Sequence, residues 1–206
     1  MNTVVVDFDG TLITGNSFPS WIIFILRKSV YSLKLKTVLI VLGLLIRRKV
    51  LKNITHIQLK ERVDSLSYPH LWGAQFMKEL KKSESLKVYN GIQPYTESQS
   101  KILVSTAAPN CYAKYIPEVF FPDYHAECIT SQRLEDKTYF NNFQSNKAAK
   151  IKEIIGESEK FALFTDHSDD YELAKFSSQL YLCNPKEKHL KHYKESGLKF
   201  TILRDE

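Results

Sequence analysis

Three valines, Val4 to Val6, run into two aspartates separated by a single residue, and a glycine follows: VVVDFDGTL, Val4 to Leu12. A short all-apolar run suits a central parallel strand covered on both faces. Side chains two apart on a strand point the same way. A strand continuing through Asp9 therefore turns the carboxylates of Asp7 and Asp9 to one side, at its C-terminal end. Like charges so close raise the cost of ionising both, and a bound cation relieves it. The plainer reading is a turn, because Asp-Gly is a common turn pair and Asp often caps the next helix. That accounts for Asp9 and Gly10 but leaves Asp7 at the end of a hydrophobic run.

The rest of the chain alternates between strand and helix patterns. Asn2 to Asp7 reads as the first strand. From about Ser17 to Val88 the apolar residues fall at helical spacing, in FPSWIIFILRK, TVLIVLGLLIRRKVL and HLWGAQFMKELKK. Asn90-Gly91 and Pro94 mark a turn. Then follow a strand KILVST, a helix start around AAPNCYAKYI with Pro109 in its first turn, and a strand AECITS. A helix SNKAAKIKEII opens at an Asn or Ser cap. KFALFT is a strand ending at Asp166, DYELAKFS a short helix, and QLYLCN and KFTIL are the last strands. This order predicts an α/β fold, a Rossmann-like parallel sheet with helices on both faces. Ligands of such sheets bind beyond the carboxyl ends of the strands. Asp7 and Asp9, Ser105 and Thr106, and Asp166 and Asp170 all collect there.

At 206 residues the chain fits one domain with a sizeable insertion. Its three cysteines are odd in number and widely spaced. They form no disulfide framework and no metal pair, which points to a reducing, cytoplasmic setting. No secretory signal is expected, because Asp7 and Asp9 interrupt the N-terminus before an apolar core forms. The formal net charge is +6, yet Gly10 to Lys60 holds nine Lys and Arg and no acid, so the remainder is net negative. That asymmetry points to an anionic partner for one segment.

Taken in order, DFDGT (Asp7 to Thr11), the hydroxyl closing ILVSTAAP, the lysine of NKAAKIK and the acidic pair of FTDHSDD resemble the four motifs of the haloacid dehalogenase (HAD) superfamily of phosphatases. The resemblance covers nearly the whole chain. It implies that Asp7 is a nucleophile forming an aspartyl-phosphate, since a carboxylate attacks phosphorus without first losing a proton. It implies that Asp9 is the general acid for the leaving group and then the base for water. Thr106 would donate to a phosphoryl oxygen and Lys147 neutralise charge on the same group. Gly10 and Ala107 would join Thr106 and Lys147 around the substrate. A hard divalent cation, most simply Mg²⁺, would take oxygens from Asp7, the Asp9 carbonyl and Asp166. Asp170 would ligate it or hold one of its waters. Thr106 lies three residues before Pro109, the spacing common in the family, whereas Ser105 does not; the alternative is that either hydroxyl merely finishes the strand. Lys150 and Lys152 compete with Lys147, but both suit a surface. His167 replaces the usual residue between the family's acids, and is either a proton carrier near the metal or a loop side chain facing solvent.

The resemblance also places a helical cap at residues 14–88, as in the phosphoserine phosphatase branch, with residues 1–13 and 89–206 forming the core. TVLIVLGLLI is ten uncharged residues flanked by LKLK and RRK, about half of the roughly 20 needed to span a bilayer. It suits a buried cap helix, an element resting on an anionic membrane surface, or a dimer contact. The content also looks like that of phosphatidylglycerophosphatase C-type relatives, which act on a lipid phosphate. The expected activity is Mg²⁺-dependent hydrolysis of a small-molecule or lipid phosphomonoester. The alternatives are a phosphotransferase and an idle binding module, the latter at odds with a complete acid set. Nucleic acid is disfavoured, because the basic residues interleave with aliphatic runs and not with base-stacking aromatics.

Overall fold

The computed structural model describes residues 3–69, 71–83, 91, 101–156 and 159–204. Strand β1 (Thr3–Val6) is fully buried. It is followed by four helices, α1 (Ser17–Tyr31), α2 (Leu35–Lys49), α3 (His56–Asp64) and α4 (Trp72–Lys81). The chain then runs β2 (Lys101–Pro109), α5 (Asn110–Ala113), α6 (Ile116–Phe120), β3 (Ala126–Arg133), β4 (Tyr139–Phe140) and α7 (Ser145–Ile155). It ends with β5 (Phe161–Thr165), α8 (Tyr171–Ala174), β6 (Gln179–Cys183), α9 (Glu187–Glu195) and β7 (Thr201–Leu203). The expected turn around Asn90 and Pro94, and the expected end of the insertion at Val88, lie outside the described residues, Gly91 apart.

The seven strands form one sheet in the order β4-β3-β2-β1-β5-β6-β7. All pairs are parallel except β3 with β4. β1 lies between β2 and β5, so the strand order reverses beside it and leaves a crevice at its carboxyl end. This is the α/β, Rossmann-like sheet the sequence predicts, with boundary differences that have physical causes. The strand pairing of β1 stops at Val6, and Asp9 sits in a tight turn, where the amides of Thr11, Leu12 and Ile13 all reach the Phe8 carbonyl. β2 runs on to Pro109, which is extended and caps α5 from outside the helix. Helix α7 begins after Gln144, held at φ 49°, and not at an Asn or Ser cap. β4 is two residues long and has no apolar run to announce it.

The insertion is built from local signals that agree. Asn16 accepts the Phe18 amide at the start of α1, 2.9 Å away. Thr55 and Gln58 form a reciprocal capping box on α3, at 3.1 and 2.8 Å. Trp21 of α1 is fully buried and meets the rings of Phe24, Tyr68, Phe76 and Tyr112. Tyr112 belongs to α5, so one continuous apolar cluster joins Val4, Val6 and Phe8 of the sheet side to Trp21 and Phe76 of the insertion. Gly73 of α4 lies so close to the Cys111 carbonyl that a β-carbon there would collide with it. Helix α2 departs from a buried cap helix: Val41 and Leu44 are buried, while Leu39, Ile40, Leu42 and Ile46 face outward.

Candidate active site

The carboxyl ends of β1, β2 and β5 open into a pocket of about 450 Å³. Asp7, Asp9, Thr106, Ala107, Lys147, Asp166, His167 and Asp170 all line it. The insertion contributes Asn16, His56, Ile57 and Lys60.

Asp7 leaves the sheet with its amide still bonded to the Phe164 carbonyl, 3.0 Å away. Its Oδ1 lies 2.8 Å from Lys147 Nζ. The same ammonium lies 2.8 Å from the carboxylate of Asp170. Asp170 also accepts from the Thr165 hydroxyl at 2.7 Å. Lys147 is thus buried between two acids. Burial by itself would lower its pKa, but the charges of Asp170 and Asp7 outweigh that and hold it above the usual lysine value. Asp7 moves the other way. Burial raises its carboxyl, to about 8, against the opposing charge of Lys147 and with help from Asp170 and Asp166.

Asp9 is aimed by the first turn of α1. Its Oδ1 accepts the Ser17 amide at 2.7 Å, at the positive end of the helix. Burial raises its pKa, while Ser17 and then Lys60 pull it back. A group held protonated above the ordinary carboxylate range, yet open to a pocket, suits proton transfer.

Asp166 is fixed by neighbours on the β1 turn. The Thr11 hydroxyl donates to its Oδ1 at 3.2 Å. Gly10, at φ 88°, lies against the same carboxylate, where any β-carbon would overlap it. Gly10 therefore serves close approach within the site. Thr106 lines the pocket; its hydroxyl accepts the Ala108 amide at 3.1 Å. The Ser105 hydroxyl is instead taken by Asn142, 3.0 Å away. Asn142 also donates to the carbonyls of Thr106 and Ile129, at 3.1 and 2.9 Å, and so locks the end of β2. Lys150 pairs with Glu153, and Lys152 lies over the Phe176 ring. His167 reaches the pocket edge, accepts the Asp169 amide at 3.1 Å and lies with its ring centroid 3.6 Å from that of His189.

Lys60 and Asn142 are among the pocket residues that the sequence does not single out. Lys60 was one of nine basic residues in a segment without acids, and only the fold separates it from the rest. Asn142 follows Asn141, a plain polar pair between two elements.

The residues fit a hard cation on charge and donor type. Among the described residues that line the pocket, Asp7, Asp9, Asp166 and Asp170 meet two lysines, Lys60 and Lys147, and Asp7, Asp9 and Asp166 are all pushed up by burial. Among the described residues no three His, Cys, Asp or Glu side chains form a ready-made cluster.

No protein-family model and no curated protein matches this sequence. Solved structures do. A protein of unknown function from Bordetella pertussis Tohama I is 15% identical, over 97% of each chain, with a TM-score of 0.70. A phosphoserine phosphohydrolase-like protein from Francisella tularensis subsp. tularensis SCHU S4 is 17% identical, over 100% of this chain and 96% of that one, with a TM-score of 0.51. A HAD family hydrolase from Salmonella enterica subsp. enterica serovar Typhi is 10% identical, over 92% of this chain and 65% of that one, with a TM-score of 0.52. The fold is that of HAD family hydrolases.

Proposed function

We propose that this protein is a Mg²⁺-dependent phosphomonoester hydrolase that works through an aspartyl-phosphate on Asp7. The observation that carries the reading is the joint placement of Asp7 and Asp9 in one pocket, Asp7 against Lys147 and Asp9 against the N-terminus of α1. In the first step an Asp7 oxygen attacks phosphorus and the bond to the ester oxygen breaks. Asp9 gives its proton to that leaving oxygen. In the second step Asp9, now a carboxylate, takes a proton from water. The water oxygen attacks phosphorus, the bond to Asp7 breaks, and inorganic phosphate leaves. Lys147 and the Thr106 hydroxyl face the charge on the transferring group. Asp170 acts first on Lys147, which it anchors together with Thr165.

Burial raises the Asp7 carboxyl, so the nucleophile needs positive charge beside it. Lys147 supplies part. Asp7, the Asp9 carbonyl and Asp166 would hold Mg²⁺, which when bound would supply the rest and offset charge on the phosphoryl group. The helical insertion acts as the cap, since four of its residues line the pocket.

The surface of the cap supports a second element of function, contact with an anionic membrane. Of the eighteen exposed large hydrophobic residues described, twelve fall between Ile23 and Ile57, the segment that carries no acid. Among the described residues no helix is long and apolar enough to cross a membrane.

The test is hydrolysis of p-nitrophenyl phosphate with Mg²⁺ and after chelation. Turnover that needs the metal and falls by about 10⁴-fold or more in Asp7→Asn is expected. Near wild-type turnover in Asp7→Asn would overturn the assignment.

A further inference from the structure

Behind the active-site pocket lies a second cavity of about 790 Å³, between α1, α2 and the start of α3. Phe18, Ile22, Leu26, Leu45 and Leu59 line it. We infer that this groove receives the alkyl tail of the substrate, so that the phosphomonoester hydrolysed at Asp7 is a single-chain amphiphile. The inference rests on the hydrolase reading above and names its substrate class.

Three observations carry it. First, the groove and the catalytic pocket share a wall. His56 lines both. Its ring meets that of Phe18 edge-on at 5.6 Å. Phe18 follows Ser17, whose amide holds Asp9, and the Lys60 ammonium lies 5.9 Å from the Phe18 ring. A tail leaving a phosphate held at Asp7 would have to pass the His56 and Phe18 rings to reach the groove. Secondly, the charged residues around the groove are Arg48, Lys49 and Lys52, all basic. No acid is among the described residues that line the groove, so an anionic phosphomonoester meets no repelling charge there. Thirdly, the volume falls within the range of about 300–1,000 Å³ that encloses small-molecule ligands, and the lining is predominantly apolar, as in such sites.

Burying each methylene contributes about 0.8 kcal/mol, up to roughly a fourfold gain in affinity. The experiment measures kcat/KM with Mg²⁺ for n-butyl, n-hexyl and n-octyl phosphate below their micelle concentrations. A rise of roughly tenfold or more from butyl to octyl is expected. In Leu45→Glu the octyl-to-butyl ratio should collapse toward one; Leu45→Ala, milder in the fold, should lower it in part. Calorimetry with n-butyl- and n-octylphosphonate, which are not hydrolysed, reads the groove independently of turnover. Tighter octylphosphonate binding, lost in Leu45→Glu, supports the tail subsite. Measurable hydrolysis with a flat chain-length series and equal phosphonate affinities overturns the subsite and leaves the hydrolase reading intact. Chain-length-dependent binding without hydrolysis of any ester supports the subsite and overturns the hydrolase reading. A flat series in a dimer that Leu45→Glu splits would assign the groove to a second copy of the chain and overturn the proposal.

Discussion

The Lys60 ammonium, carried by α3, donates to the carbonyl oxygen of Ala107 at the end of β2, 3.0 Å away. One hydrogen bond thus joins the inserted helices to the strand that presents Thr106. Lys60 is mostly buried, which pulls its pKa down, while Asp9 and then Asp7 pull it back up. Replacing it by methionine keeps the stem and removes the charge. We expect Lys60→Met to lower kcat/KM on p-nitrophenyl phosphate by about tenfold to a hundredfold. Loss of the cation also raises the pKa of Asp9. The alkaline limb of the pH–rate profile, above which the proton donor is lost, should therefore move to higher pH. An unmoved limb would detach Lys60 from Asp9.

Asp166 touches Gly10 and Thr11, on the turn that carries Asp9. Asp166→Ala should shift the Mg²⁺ activation curve to about tenfold or more higher concentration. Asp136 is a suitable control, because it is fully exposed and bonds only to nearby Thr138. Titrating activity against Mg²⁺ in both variants checks this, and superimposable curves would take Asp166 out of the metal site.

Asp64, at the end of α3, accepts the Cys111 amide at 2.7 Å. Burial raises its pKa, against the pull of that amide. The folded state then holds the Asp64 proton more tightly than the unfolded chain does. Stability contributed by this group is present at low pH and is lost as pH rises through the raised value. Asp64→Asn keeps an acceptor for Cys111 and removes the buried charge. The variant should melt at a higher temperature than the wild type at pH 7, with the gap closing near pH 4. Thermal melts at both pH values read the sign directly, and a lower melting temperature at pH 7 would refute it.

The outward face of α2 gives a prediction about surfaces. Each basic residue near an anionic membrane contributes about 1 kcal/mol, and screening weakens it within about 10 Å at 0.1 M salt. The protein should co-sediment with phosphatidylglycerol vesicles at low salt and release as salt rises. Changing Lys34, Lys36 and Arg47 to Gln should weaken binding by about tenfold or more. Leu39→Asp should weaken it separately, by removing inserted apolar area. Equal binding to neutral vesicles would leave α2 without an electrostatic partner.

The sheet was legible because its central strands are unbroken apolar runs, and each of three ends on a polar residue that the fold brings to one edge. The site was legible where chemistry clustered in sequence, as in DFDGT. It was less so where a residue arrives from a distance. Lys60 looks like its basic neighbours until α3 is placed over β2. Asn142 acts through its hydrogen bonds to strands β2 and β3, and sequence gives no measure of those. The outward face of α2 was also hidden, since ten uncharged residues read the same whether they are covered or bare.

The apolar cluster that runs from Val4 and Phe8 through Tyr112 to Trp21 and Phe76 ties the inserted helices and the floor of the pocket into one packed core. Parts joined by one continuous packed core tend to open together and not separately. Damage to the inserted helices would not stop at them. It would be transmitted to β1, and Asp7 would lose its position in the same transition. Changes on the outer surface of α2 and its flanks are therefore absorbed locally, but changes around Trp21 are penalised as loss of the whole fold.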